Sequence, residues 1–289
     1  MEVRKTMSKI ALVTDTGSDF GAREAEELDL KLLHFQIEYK DKTYLDQVDI
    51  TSQEVLDRLA EEMPTTSLPR MTEIQETFDS LREEGYKDVL VIMISSGLSG
   101  AFNTVRMIAS EYTDMNIKVF DSRTLSAAEG VLVEKARELI DAGLEIDEII
   151  VKLEEMRANQ TTSFIVDTLD YLIKGGRIGR VSGSVGKLLN LKPVITVSDD
   201  GKYETIAKMR GKQKAIHFFA DEASKVMQPG NKYELSFSHA DAKDTLDTII
   251  EEIKARVGEV TIKSTRMITP VACVHCGPGY AGMLIQKVN

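Results

Sequence analysis

Along the chain, short apolar runs alternate with stretches in which apolar residues recur every three or four positions, the periodicities of buried strands and amphipathic helices. Residues 9–15 (KIALVTD) read as a buried strand, followed by a turn at 16–19 and a helical stretch over 20–29. Residues 30–39 (LKLLHFQIEY) read as a second strand. The segment 51–62 begins like a capping box, with Thr51 or Ser52 as N-cap and Glu54 shortly after. A helix over 71–85 closes at Gly85, and a strand follows over 88–94. The pattern then predicts a loop and helix over 97–112, a strand over 116–122, helices over 126–143 and 145–159, and a strand over 162–168. Such alternation argues for a parallel sheet covered on both faces.

After about residue 160 the texture changes. YLIKGGRIGRVSGSVGK is rich in glycine and basic residues, and LKPVITVSDDGKYETIAKMR places Asp-Gly between two alternating runs, a strong hairpin signal. Further strands are expected over 232–241, 260–267, 271–277 and 283–288, with a helix over 244–257. The fold class read from this is α/β: two α/β domains with mostly parallel sheets, the C-terminal one carrying an added antiparallel hairpin. The domains are placed at 8–160 and 161–289, with no linker marking the join.

Composition narrows the function classes. The chain has 289 residues, a net charge of −11 and no tryptophan. That charge argues against nucleic acid as a partner and against stable adsorption to anionic membranes, leaving transient membrane contact at most. No apolar run is long enough to span a bilayer, and the basic N-terminus lacks the features of a signal peptide. Two cysteines, Cys273 and Cys276, give no disulfide framework, which points to the cytoplasm. An anionic ligand would have to be held by local donors rather than by the overall field.

The stretch SSGLSG (95–100) ends a predicted parallel strand and opens a helix, where ligands of open α/β sheets lie. Ser95, Ser96 and Ser99 offer hydroxyls there, Gly97 and Gly100 permit close approach, and the helix start presents free N–H groups. One reading is a cradle for a carboxylate or phosphate; another is a tight turn with Ser99 as N-cap. A third takes Gly97-Leu98-Ser99-Gly100-Ala101 as a near match to the G-x-S-x-G nucleophile elbow, with His275 downstream, which makes a serine hydrolase using Ser99 and His275 the rival function.

Other motifs carry less. Pro64 and Pro69 keep MPTTSLPRMT from being helical, and Thr65, Thr66 and Ser67 put three hydroxyls on it. Asp15-Thr16-Gly17-Ser18 has the form of an aspartic-protease signature, but no second copy exists to share a proton. In CVHC, a strand would send Cys273 and Cys276 to opposite faces, with His275 on the face of Cys273 and Val271; zinc would lack ligands, so no metal is expected. Gly183–Lys187 is not a P-loop, because Val181 and Leu188 occupy positions that need Gly and Ser or Thr. Arg177 and Arg180, with Lys208, Arg210, Lys212 and Lys214, form two basic clusters that suit either an acidic docking partner or plain solvation.

Taken in order, YLDQVDIT, TSLP, SSGLSGAFNT, VFDS, LIKGGRIGR, LLNLKPVI, MRGKQKAI, SHAD and HCGPG resemble the DegV family of bacterial fatty-acid-binding proteins over nearly the whole chain. The resemblance implies a protein, not itself an enzyme, that encloses one long-chain fatty acid in an apolar tunnel. It presents the carboxylate to an ATP-dependent fatty acid kinase, whose acyl phosphate product enters phospholipid synthesis. It further implies carboxylate binding by Thr66, Ser99 and His275, with Ser96 and Gly97 in the same turn, and kinase docking by Arg177 and Arg210. No cofactor is implied beyond the bound fatty acid. Leu68, Ala101 and Cys276 depart from the family's usual glutamine, threonine and threonine, which bears on head-group geometry and chain preference.

Overall fold

The computed structural model describes residues 10–184 and 191–288. The basic N-terminal segment and positions 185–188 of the P-loop-like region lie outside them. The strands are β1 (Ile10–Asp15), β2 (Leu30–Leu33), β3 (Gln36–Glu38), β4 (Thr43–Leu45), β5 (Thr65–Ser67), β6 (Asp88–Met93), β7 (Asn116–Asp121), β8 (Gln160–Ile165), β9 (Leu191–Val197), β10 (Tyr203–Arg210), β11 (Lys232–Ala240), β12 (Thr261–Met267) and β13 (Tyr280–Val288). The helices are α1 (Ala22–Glu27), α2 (Ser52–Arg58), α3 (Met71–Glu83), α4 (Ala101–Ala109), α5 (Ala127–Asp141), α6 (Ile146–Ala158), α7 (Asp170–Lys174), α8 (Lys212–Val226), α9 (Lys243–Val257) and α10 (Pro270–Cys276).

The fold is α/β. A four-stranded sheet in the order β2-β1-β6-β7 is parallel throughout. Its middle strands are buried on both sides, so they read as unbroken apolar runs. Alternation still sorts them: Val89, Val91 and Met93 join the core under α3 and α4, whereas Leu90 and Ile92 join the core under α5 and α6.

The C-terminal sheet is mixed, six strands in the order β10-β9-β8-β13-β11-β12. The Asp-Gly hairpin is present, with Gly201 at φ +75° and the Ser198 N–H bonded to Lys202 C=O at 2.9 Å. Antiparallel pairing extends beyond that hairpin, through β8–β9, β8–β13 and β11–β13, and β11–β12 is parallel. One face is covered by α8 and α9; the other turns toward the N-terminal elements.

Two elements differ from the sequence expectation. The strand read over 30–39 is two strands in two sheets: β2 extends the parallel sheet, whereas β3 pairs with β4 and β5. Between them, the backbone N–H and Nδ1 of His34 both meet Glu73 Oε1, at 3.0 and 2.7 Å, so that carboxylate takes a donor a continuous ladder would use. The strand read over 271–277 is the helix α10. Pro270 occupies its first turn, and Gly277 follows it at φ +68°. Proline just inside the start and glycine just past the end are helix boundary signals; the Val/Cys alternation between them masked these. Cys273 and Cys276, three residues apart on a helix, therefore share a face, and both are buried. His275 lies one turn from Val271, and not on a strand face with Cys273.

Helix α10 leaves the C-terminal sheet and packs against α2, β3, β5 and the turn at 16–18. This crossing of the chain builds the site.

Candidate functional site

Three segments far apart in sequence meet beside α10. The parallel strand β6 delivers the loop 94–100. The short strand β5 is held by pairing with β3, Thr66 opposite Ile37. Helix α10 brings His275 against β5, where His275 Nε2 and Thr66 Oγ1 share a hydrogen bond of 2.9 Å. Around them lies a narrow cavity of about 60 Å³, open to solvent on one side. Thr66, Ser67, Ser99, His275 and Arg177 give it polar groups; Phe35, Leu68, Ile94, Leu98, Leu125, Tyr203 and Val271 make most of its wall apolar.

Ser99 stands two residues before α4, and its Oγ accepts the Ala101 N–H at 3.2 Å. That settles one of the free N–H groups of the helix start and leaves the hydroxyl proton available to a ligand. Ser96 and Gly97 point elsewhere. Ser96 gives its N–H and Oγ to Asp121, at 3.1 and 2.6 Å. Gly97 packs on the β9–β10 turn, where a Cβ would come within 2.6 Å of Gly201 O. Ser95 Oγ also reaches Gly201 O, at 2.7 Å, so this half of the serine-rich loop joins the two sheets.

The two arginines separate. Arg177 lines the cavity, its Nη1 donating to Gly175 C=O at 2.6 Å. Arg210 is exposed at the end of β10, outside the cavity wall. Arg180 is engaged by Asp200 and Glu204. The KGGR sequence signalled a basic loop; its approach to His275 depends on α7 and α10 packing together and is invisible locally.

Burial, with the nearby Arg177 charge adding to it, pushes His275 down to about 3, so the imidazole is neutral at physiological pH. Its Nδ1 faces the backbone of Gly175, where a Cβ would lie 2.3 Å away. A serine hydrolase needs the opposite arrangement, with histidine bonded to the serine, oriented by a carboxylate and basic near neutrality. Here the imidazole is bonded to Thr66, Nδ1 has no partner among the described residues, and the ring is a poor base.

Buried carboxyls lie behind this site, those of Asp15 and Asp46 one bond from the cavity lining. Asp15 accepts the N–H groups of Gly17 and Ile94, at 2.7 and 2.9 Å, so the Asp-Thr-Gly-Ser stretch is a strand-end turn. Asp46 accepts the Val271 N–H at 3.1 Å. Asp19 accepts the Thr269 N–H at 3.1 Å and a hydrogen bond from Ser126 Oγ. Burial raises Asp15 and Asp46 to about 7 and Asp19 to about 6, and it raises Glu129 well above the carboxylate range. Burial likewise pushes the Cys276 thiol up to about 12, so it is an inert wall group. Among the described residues, no group of three or more His, Cys, Asp or Glu is arranged to hold a metal. No described helix is long and apolar enough to cross a membrane.

This architecture is shared with known proteins. A fatty acid binding DegV family protein from Streptococcus agalactiae superposes with a TM-score of 0.89 at 27% identity, covering 97% of this chain and 99% of that one. A stearic acid-binding protein from Eubacterium ventriosum superposes with a TM-score of 0.86 at 27% identity, over 97% and 98% of the two chains. A DegV domain-containing protein of Clostridium acetobutylicum is 38% identical over 281 residues, 97% of this chain and 100% of its own. The family model described as "Uncharacterised protein, DegV family" matches residues 9–288, and with so little of the chain outside that match, the protein belongs to the DegV family.

Proposed function

We propose that this protein binds one long-chain fatty acid, with the carboxylate at Thr66 and Ser99 and the acyl chain along the apolar wall. The observation that carries this reading is the arrangement of the cavity: the hydroxyls of Thr66, Ser67 and Ser99, with His275 and an arginine, stand among side chains that are otherwise mostly hydrocarbon. Hydroxyl donors bond an ionised carboxylate more strongly than a neutral acceptor, and Arg177 supplies positive potential in an acidic chain. If His275 donates its Nε2 proton to Thr66 Oγ1, the threonine hydroxyl is left free to donate to the ligand. Each buried methylene adds roughly 0.8 kcal/mol, so the tail supplies most of the affinity and the head group sets its direction. The superposed proteins named for fatty acid and stearic acid binding support the same ligand class.

The bound carboxylate is then presented to an ATP-dependent fatty acid kinase, which forms the acyl phosphate used in phospholipid synthesis. In this reading the chain is the lipid-binding subunit and works in the cytoplasm. Arg210, exposed beside Lys208 on β10, belongs to the kinase-docking face, while Arg177 stands between that role and the cavity.

Native mass spectrometry of the purified protein tests the ligand class. A long-chain fatty acid carried through purification and released on activation is expected. A protein that stays lipid-free after incubation with saturated and unsaturated acids would contradict the reading.

A further inference from the structure

Helix α10 carries His275 at its end, yet its start is gripped by residues from the opposite end of the chain. Asp46 Oδ1 accepts the Val271 N–H and Asp19 Oδ1 accepts the Thr269 N–H, each at 3.1 Å. Ser52 Oγ donates to Ile268 C=O at 2.7 Å. Thr269, at the N-cap, makes no side-chain cap bond, so Asp46 supplies from elsewhere the acceptor that an N-cap residue normally provides. Asp46 is fully buried, and the Thr16 hydroxyl is hydrogen-bonded to its carboxyl as well. His34, Asp19 and Cys273 are the other polar groups near it. The backbone N–H that the Asp46 carboxyl accepts belongs to Val271, 225 residues away.

The opposite end of the helix is the functional one. Val271 and His275 are four residues apart, about 6 Å along a helix axis. Over so short a span the helix moves as a unit, so a tilt at Val271 is carried to the imidazole. His275 is confined between Thr66 Oγ1 and the Gly175 backbone, and a small rotation breaks the Thr66 bond.

We propose that Asp46, supported by Asp19, is a positioning residue for ligand binding: by fixing the start of α10 it sets the contact between His275 and Thr66, and so the direction in which the Thr66 hydroxyl is offered to a carboxylate. This rests on the fatty-acid reading for its ligand but not for its geometry. A structural role alone would lower stability and act on affinity independently of His275. A positioning role acts through His275.

The test is a double-mutant cycle on stearate affinity in the full-length protein, joined to a readout that needs no lipid. Asp46→Ala is expected to weaken stearate binding about tenfold, a loss of roughly 1.4 kcal/mol, and Asp46→Asn to restore most of it, because the amide oxygen still accepts from Val271. In a His275→Ala background, Asp46→Ala should cost no further affinity. In the lipid-free protein, nitrogen-15 spectra of the imidazole should show one neutral tautomer of His275 in wild type and an altered tautomer balance in Asp46→Ala. Losses that multiply in the double variant, or an unchanged His275 spectrum in Asp46→Ala, would overturn the proposal. Should Asp46→Ala not fold, Ser52→Ala loosens the same segment and is held to the same two outcomes. A wild-type protein that binds no stearate would overturn the fatty-acid reading, while the spectra would still decide the positioning claim.

Discussion

The two faces of the C-terminal sheet are covered in different ways. Against α8 and α9 the packing is hydrocarbon: Phe219, Phe237, Leu246, Ile249 and Ile253 are fully buried and belong to one cluster. Against α10 and the N-terminal elements, the buried set includes Tyr203, Tyr280, Cys273 and Cys276, and it borders an open cavity with Thr66, Ser99 and His275 in its wall. The first face is filled and uniform. The second leaves space and keeps polar groups under cover, each tied by a specific bond. Close packing with a continuous apolar lining stabilises a fold; unfilled space and buried acids cost stability, and that cost is evidence of a ligand site. Stability and function are thus divided between the two sides of one sheet.

That division can be broken at several points. The largest effect is expected on the filled face. Phe219→Ala should lower unfolding stability by about 3–5 kcal/mol in urea titration, while the folded fraction keeps wild-type affinity for stearate. An equal loss of lipid affinity in folded protein would show that the faces are not separable. On the open face the pattern should reverse. Thr66→Ala or Ser99→Ala is expected to weaken stearate binding by about tenfold or more, since hydrogen bonds to charged groups contribute roughly 1.5–3 kcal/mol. Calorimetric stability should change little in Ser99→Ala, at a half-buried position, whereas Thr66→Ala also strips His275 Nε2 of its partner and should lose roughly 1–3 kcal/mol of stability.

A pH experiment sharpens the comparison further. Folded Asp46 keeps its proton up to about pH 7, whereas the unfolded side chain loses it near the ordinary value of 3.8. The native state therefore binds more protons between those limits, and the stability this group contributes falls as pH rises through them and is gone above about 7. Asp46→Asn cannot ionise, so its stability relative to wild type should improve from about pH 5 to about pH 8 in denaturant titrations. A difference that stays flat would place the Asp46 pKa near its ordinary value. The smallest effect on lipid belongs to Arg210→Ala: affinity should stay within about twofold of wild type, with phosphorylation by the kinase impaired. Equal loss of both would move Arg210 into the binding site.

Much of this was legible in the sequence, and the rest fails for identifiable reasons. The parallel sheet follows from apolar runs at 9–15 and 88–94, and the hairpin follows from Asp-Gly at 200–201, because both signals are local. Ser99 and His275 stand out in their own glycine-rich stretches and Thr66 only through the family resemblance; all three lie in one cavity wall. The misread segments turn on a tertiary partner or an overridden local signal. His34 ends β2 because Glu73 takes its N–H. Helix α10 announced itself with Thr269-Pro270 and Gly277, but its alternating Val and Cys residues suggested a strand. Ser96 resembled a ligand group until Asp121, 25 residues on, claimed it. Arg177 reaches the cavity only through the packing of α7 on α10. The acids behind the lining lie in stretches that stand out in the sequence, Asp15 in Asp-Thr-Gly-Ser and Asp46 in YLDQVDIT, but their partners do not: that Asp46 accepts from Val271 follows only from the fold.

The central claim is that the carboxylate of a fatty acid is held between the hydroxyls of Thr66 and Ser99, with its chain running along the apolar wall. A crystal structure of the stearate complex measures this directly. The account predicts carboxylate oxygens within about 3.2 Å of Thr66 Oγ1 and Ser99 Oγ, with the chain passing Phe35, Leu98 and Val271. A carboxylate held elsewhere, or a chain lying on the surface with the cavity empty, would contradict it.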